Sequence, residues 1–372
     1  MKRVKVEVEP RHYEVLMERG LIDRAGRELV RLLGKGKHCF VVTVPPVRKL
    51  WGSKLEASLK KAGLRVEFLE MGDGETHKNF RTLESLAERM VGLGADRDCA
   101  VIALGGGVVG DVAGFLAACY MRGVDFLQIP TTLLAQVDAS VGGKTGVNLK
   151  AGKNLAGAFH QPLAVLIDSD VLATLPEREF RAGLYESVKC GVIGDASLFR
   201  FMEANAGKIL RRDGAALDRV VAASVKLKAT MVAADEREGG VRRILNFGHT
   251  LGHAMEAETG YKHFLHGEAV AWGMIGAAWI GESTGNIGSA EAERIARAVL
   301  RFGELPPVTV SAKKVVARLT SDKKTRAGKV YFVLPKLKIG MVEVVTGIPD
   351  SVVLEAVETL RSMSKELAGI SD

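Results

Sequence analysis

Residues 99–104 form an uncharged run of strand-building side chains that passes without a break into Gly105, Gly106 and Gly107, and from there into a helical pattern ending near Cys119. A buried strand that turns through glycines straight into a helix belongs to a parallel sheet, whose neighbouring strands must be joined by crossover helices. Five more short apolar runs, at residues 4–8, 39–44, 65–69, 126–129 and 164–167, recur with helical patterns between them. In one of those patterns Phe80, Leu83, Ala87, Met90 and Val91 fall at helical spacing and predict an apolar stripe. This rhythm predicts an α/β architecture around a largely parallel sheet.

The rhythm stops near residue 175. Thr174 can cap a helix with Pro176 in its first turn, and the rest of the chain is mostly long helical pattern. Residues 331–334 and 341–345 are the exceptions and predict a small hairpin around Pro335 and Gly340. The expected organisation is therefore an α/β N-terminal domain over residues 1–175 and a mainly α-helical C-terminal domain over residues 176–372. The total of 372 residues agrees with two domains, because single cores stop growing at about 250–300 residues. A cleft between two domains is the default place to look for a site.

Apolar residues at 47% and charged residues at 26% describe a folded globular chain. Uncharged stretches such as residues 269–281 fall short of the roughly 18 apolar residues needed to span a bilayer, so no membrane partner is expected. Residues 1–8 alternate valine with charge as a strand does and carry no signal-peptide core, which predicts a cytoplasmic protein. Cys39, Cys99, Cys119 and Cys190 form no C-x-x-C pair and sit mostly in apolar runs, as small buried hydrophobes do. The net charge of +8 is scattered among 44 acids, without a basic tail or interleaved aromatics, and so favours a small anionic ligand over nucleic acid.

Gly105, Gly107 and Gly110 fit G-x-G-x-x-G behind a strand. Glycine lets the backbone approach a pyrophosphate, and the helix N-terminus beyond offers free amides and a positive dipole end. Alone the match is weak, since glycine triplets also make ordinary tight turns, and the acidic residue expected about 20 positions on is missing. A second glycine-rich segment, Asp73, Gly74, Glu75, Thr76, His77 and Lys78, offers a carboxylate and an ammonium for ribose and phosphate, or is simply a capped loop. Gly143, Lys144 and Thr145 resemble the end of a P-loop, but Asp138 occupies the position of its required first glycine. Lys144 and Lys153 remain point charges suited to phosphate.

His249 and His253 stand four apart, so one helical face presents both imidazoles. Of the eight histidines in the chain, His249, His253, His263 and His266 cluster within eighteen residues beside an apolar helix. Two histidines and one carboxylate make an open catalytic metal set. Glu186, in the otherwise apolar segment of residues 183–189, is the candidate carboxylate, although an ordinary ion pair with Lys189 would also account for it.

These segments together resemble the 3-dehydroquinate synthase family of the sugar phosphate cyclases. The resemblance is carried by Gly74, Glu75 and Lys78; Gly105, Gly106, Gly107, Val108, Val109, Gly110 and Asp111; Pro130, Thr131 and Thr132; residues 138–148; and Asn246, Phe247, Gly248, His249, Thr250, Gly252 and His253. It implies a Rossmann-like N-terminal domain, a helical metal-binding C-terminal domain and a homodimer. It further implies a lyase of the shikimate pathway of aromatic amino acid biosynthesis. The implied reaction turns 3-deoxy-D-arabino-heptulosonate 7-phosphate into 3-dehydroquinate and phosphate, with NAD oxidising a ring hydroxyl and later returning the hydride.

By matching position, the resemblance implies Glu186, His249 and His266 as ligands of one zinc or cobalt ion. It assigns cofactor contacts to Asp73, Gly74, Glu75, Thr76, His77, Lys78, Gly107, Val108, Val109, Gly110, Asp111, Thr131, Thr132, Lys144, Lys153, Val171, Leu172, Ala173 and Thr174. The anionic sugar-acid substrate falls to Arg122, Asp138, Lys144, Asn154, Lys189, Lys228, Arg242 and Asn246, with one of Lys323 or Lys324. Glu238 and His253 match positions of proton transfer, with Lys144 and Lys189 also at the reacting centre. Val44, Pro45 and Pro46 stand where many relatives carry Asp or Asn, and Ala182 where some carry Asn. A sister cyclase or a metal- and NAD-dependent polyol dehydrogenase shares the same architecture.

Overall fold

Parallel strand pairing organises the first half of the chain. The computed structural model describes residues 1–9, 12–325 and 329–369, the side chains of residues 321–325 excepted. Its chain divides into two compact units, Met1–Pro176 with Lys228–Glu236, and Glu177–Leu227 with Arg237–Asp372.

The first unit is built on β1 (Lys2–Val6), β2 (Tyr13–Met17), β3 (His38–Thr43), β4 (Arg65–Glu70), β5 (Ala100–Gly105), β6 (Asp125–Pro130) and β9 (Ala164–Ile167). They form one sheet in the order β1-β2-β9-β6-β5-β3-β4, parallel throughout except for β1 against β2. Every residue of β3, β5 and β9 is buried, as strands covered on both faces must be. The connecting helices are α1 (Ala25–Leu33), the short α2 (Pro45–Val47), α3 (Ser53–Lys61), α4 (Phe80–Gly92) and α5 (Gly107–Cys119). Phe40, Val42, Leu69, Val101, Val112, Phe115 and Phe126 share one core with Leu83, Leu86 and Met90 of α4. The stripe of α4 is therefore rotated from the expected one: Leu86 joins it, while Phe80 and Val91 are exposed.

Three local features depart from the sequence reading. β2 was not expected, and it inserts between β1 and β9. Residues 144–159, in which the sequence singled out only Lys144 and Lys153 as point charges, form the antiparallel hairpin β7 (Lys144–Leu149) and β8 (Gly152–Phe159). Its glycines permit a pairing too close for side chains, since a Cβ on Gly157 would lie 2.0 Å from the Thr145 carbonyl. Thr174 ends a 3-10 turn (Ser169–Thr174) with its hydroxyl donating to Val171 O at 3.1 Å, instead of capping the helix beyond.

The second unit is helical: α6 (Glu177–Ile193), α7 (Ala196–Leu210), the start of α8 (Gly214–Ala234), α9 (His249–Glu258), α10 (His266–Ser283), α11 (Ser289–Leu300), α12 (Ala312–Thr325) and α13 (Asp350–Leu367). α10 is buried around most of its circumference and packs on α6, α9, α11 and α13. The small hairpin pairs β10 (Tyr331–Lys336) with β11 (Lys338–Thr346) and turns at Leu337, so Pro335 and Gly340 lie in its strands and not in its turn. No helix among the described residues is long and apolar enough to cross a membrane.

Candidate functional site

In the first unit, Gly105 ends β5 and Gly106 precedes α5. None of these glycines holds a positive φ, so it is space that demands them. A Cβ on Gly105 would lie 2.6 Å from Val109, and one on Gly110 would lie 2.8 Å from Gln128 Oε1. Gly106 has no side chain to cap α5, which leaves the first amides of that helix, from Gly107, Val108 and Val109, without a side-chain acceptor. Gly110 donates back into the helix, to Gly106 O at 3.0 Å. A bare helix N-terminus behind a glycine turn is a place where a pyrophosphate can sit.

Gly74, at φ +91, turns the chain into a 3-10 turn over Glu75, Thr76 and His77, behind exposed Asp73. Lys78 comes next and is buried, its Nζ 2.5 Å from Asp111 Oδ2 on α5 and 2.5 Å from Asn154 Oδ1 on β8. Burial pushes the Asp111 carboxyl up, against the opposing pull of Lys78. Asn148 donates to Glu75 Oε1 at 2.7 Å and accepts from Asn154 N at 2.9 Å, which ties the β7–β8 hairpin to this segment. Asn154, assigned to substrate by the resemblance, thus joins the Lys78 and Asp111 group. Lys144 and Arg122 are exposed and Lys153 half-buried. Thr131 is buried with its amide on Gly105 O, and the Thr132 hydroxyl accepts from Ala135 N. Val171 and Leu172 are buried, so only backbone there can meet a ligand, whereas Ala173 and Thr174 are exposed. Lys228 Nζ donates to both Asp138 Oδ1 at 2.5 Å and Asp138 O at 2.6 Å.

In the second unit, three helices cross at glycines. A Cβ on Gly267 of α10 would lie 2.0 Å from Ala182 O of α6, and one on Gly273 would lie 1.9 Å from the carbonyl of Gly248, which precedes α9. Backbones that touch in this way bring neighbouring side chains within ligand range. Glu186 is one turn beyond Ala182, His266 adjoins Gly267, and His249 and His253 open α9. Glu186 Oε1 stands 3.8 Å from His249 Nε2 and 3.8 Å from His266 Nε2. Donors around a tetrahedral zinc at about 2.1 Å would be roughly 3.4 Å apart, so this spacing needs only a small contraction. His253 belongs to the same cluster: the donors of His249, His253 and His266 all lie within 4.8 Å of one another.

The electrostatics point to a cation. Glu186 is buried to 1% exposure and neither of its oxygens receives a hydrogen bond; Lys189 makes an ion pair with Oε2, a contact of charge without hydrogen-bond alignment. A carboxylate buried without hydrogen-bond donors is costly, and Lys189 offsets that cost by charge alone. Burial, reinforced by Lys189 and the two other imidazoles, holds His249 well below its ordinary value, hence neutral and able to ligate. Burial also pulls His266 down, but its contact with Glu256 and the charges of Glu256 and Glu186 outweigh that and leave it raised. Each ring has a fixed second nitrogen, with Nδ1 of His249 3.1 Å from Phe247 O and Nδ1 of His266 3.2 Å from Glu256 Oε2. Glu256 was missed from sequence, although its place seven residues after His249 on one helix is a usable signal.

Glu238 holds a left-handed φ of +61 and accepts from Asn246 Nδ2 at 2.6 Å. Asn246 and the buried Arg242 share the 3-10 turn Val241–Asn246. His263 does not join the imidazole cluster; its Nε2 is 2.8 Å from Pro307 O. Lys323 and Lys324 fall on α12, and their side chains lie outside the described ones.

Family models described as 3-dehydroquinate synthase N-terminal and 3-dehydroquinate synthase C-terminal match residues 68–182 and 183–325. The chain belongs to the 3-dehydroquinate synthase family. It is 52% identical to a 3-dehydroquinate synthase of Koribacter versatilis (strain Ellin345), over 98% of this chain and 99% of that one. It is 51% identical to that of Solibacter usitatus (strain Ellin6076), over 95% and 98%. Among solved structures it is similar to 2-epi-5-epi-valiolone synthase from Streptomyces hygroscopicus subsp. jinggangensis 5008, which has NAD+ and Zn2+ bound, at 28% identity and a TM-score of 0.86 over 96% and 98% of the two chains. The glycine turn lies within the segment matched to the N-terminal part of the 3-dehydroquinate synthase family, and the imidazole cluster within the segment matched to its C-terminal part.

Proposed function

We propose that the chain carries out its family's reaction, in which 3-deoxy-D-arabino-heptulosonate 7-phosphate becomes 3-dehydroquinate and phosphate, with NAD and one zinc or cobalt ion as cofactors. The observation that carries this reading is a buried carboxylate without hydrogen-bond donors, placed 3.8 Å from two imidazole nitrogens, in a chain of this family. When bound, the metal ion polarises the hydroxyl that NAD oxidises, and NAD takes the hydride and gives it back, so there is no net redox change.

Glu186, His249 and His266 hold the ion, the two imidazoles through Nε2. Gly107, Val108 and Val109 offer backbone amides to the pyrophosphate, Gly110 and Asp111 complete the turn, and Lys78 adds charge. Glu75 and Asp73 suit the ribose hydroxyls, with Lys153, Thr131, Thr132 and the Val171 to Thr174 turn beside them. Lys144, Lys228, Arg122, Arg242 and Lys189 bind the phosphate and carboxylate of the substrate, and their charge stabilises the phosphate as it leaves. Asp138 orients Lys228, and Asn246 with Asn154 supplies neutral donors. Glu238, held by Asn246, and His253 move protons. The expected working form is a cytoplasmic homodimer; sedimentation of the purified protein checks the dimer, and fractionation of cells its location.

Purified protein supplied with NAD, cobalt and the heptulosonate phosphate should release phosphate and 3-dehydroquinate in equal amounts with no build-up of NADH. Failure to release phosphate overturns the proposal. Steady NADH formation from a simple polyol would instead indicate the dehydrogenase reading.

A further inference from the structure

We propose that Glu256 is a positioning residue for the metal ion, accepting from His266 Nδ1 and so aiming His266 Nε2 at the point that Glu186 and His249 also face. This inference rests on the metal reading above and adds a residue to it. Glu256 is 4% exposed near the C-terminal end of α9, the helix that carries His249 and His253. Its Oε2 lies 3.2 Å from His266 Nδ1, while His266 Nε2 lies 3.8 Å from Glu186 Oε1. With Nδ1 engaged as a donor, the other nitrogen carries its lone pair toward Glu186.

The two imidazoles are oriented by different means. His249 is set by a neutral backbone carbonyl, Phe247 O at 3.1 Å, whereas His266 is set by an ionisable group. A carboxylate behind a ligating imidazole fixes its tautomer and raises its basicity, and loss of such a partner typically costs 10–100-fold in metal affinity. Glu256 can do this because it is buried and its backbone is held. It sits on the helix that presents the other imidazoles, and its backbone carbonyl accepts from Tyr261 N at 2.8 Å and from the Thr259 hydroxyl at 3.0 Å. His266 opens α10, where no preceding turn restrains its ring. An acceptor supplied from α9 therefore sets the angle that α10 leaves open.

The test is metal affinity, measured apart from turnover. The full-length protein is stripped with a chelator, then titrated with cobalt(II) followed by its visible absorption, and with zinc(II) in competition with a chromogenic chelator. Glu256→Gln keeps the shape and a neutral acceptor but loses the charge, and is expected to weaken both metals about tenfold. Glu256→Leu removes the acceptor and is expected to weaken them about a hundredfold, with an altered cobalt spectrum. Parent-like affinity in Glu256→Leu overturns the inference even if its melting temperature falls, because that is the signature of a purely structural role. A parent protein that binds neither cobalt nor zinc would sink the metal reading itself, and this inference with it.

Discussion

Replacing Gly267 with alanine should abolish metal binding while leaving the fold standing. A Cβ at this position would lie 2.0 Å from Ala182 O, about 1.4 Å inside the 3.4 Å at which ordinary contact begins. The obstacle is a backbone carbonyl, so no rotamer change relieves it, and α10 must move away from α6. Glu186 rides on α6 and His266 on α10, so their 3.8 Å separation opens by a similar amount. Coordination tolerates only about 0.2 Å around its preferred distances, so a displacement near 1.4 Å leaves one ligand out of reach. A loss of at least a hundredfold in cobalt affinity is expected. The stability effect is smaller, because overpacking costs about 1–3 kcal/mol while exchanging glycine for alanine in a helix returns up to about 1 kcal/mol. Calorimetric titration of the stripped protein with cobalt, beside a thermal melt, reads both quantities. A Gly267→Ala protein that binds cobalt within a few-fold of the parent would refute the claim that glycine crossings build this site.

Glu186→Gln should lose metal and turnover together, and its metal-free melting temperature should fall because the buried Lys189 ammonium loses the charge it pairs with; intact turnover would count against the ligand set. Lys144→Ala should reduce phosphate release by at least a thousandfold with unchanged cobalt affinity, as measured by stopped assay and titration. Lys78→Met should raise the dissociation constant for NAD about tenfold or more, because Asp111 and Asn154 lose the ammonium that bridges them; fluorescence quenching by NAD measures this. Burial pushes the Cys39 thiol up to about 12 and the Cys99 thiol up to about 11, from 9.0. Their folded values exceed the unfolded one, so the stability they contribute is complete below pH 9 and is lost as pH rises toward 11 or 12. The melting temperature should accordingly fall above pH 9, and a thiol reagent at about pH 8 should label exposed Cys119 but neither Cys39 nor Cys99 before unfolding.

Much of the sheet was legible because buried parallel strands are uninterrupted apolar runs: β3, β4, β5, β6 and β9 each lie within a residue or two of the expected positions. β2 was not legible, since Tyr13–Met17 is a short run interrupted by a glutamate. The β7–β8 hairpin was hidden by its glycines, which usually argue against strands and here allow two backbones to approach. At the imidazole cluster, the spacing of His249 and His253 placed both rings on one helical face, whereas Glu186 could only be suspected from its apolar neighbours. Glu256 escaped notice because a carboxylate on a helix is usually a solvated one, and only burial sets it apart.

The sequence by itself determined the parallel α/β first half, the glycine turn ahead of α5, the helical second half and the family, because local periodicity and short motifs carry those properties within a few tens of residues. Tertiary structure decided which carboxylate faces the two imidazoles, what holds each ring, and that Lys228 lies on Asp138 ninety residues away. The meeting of Glu186 with the two imidazoles depends on backbones touching at Gly248, Gly267 and Gly273, and the distance at which two helices cross is a property of their packing that neither helix holds alone.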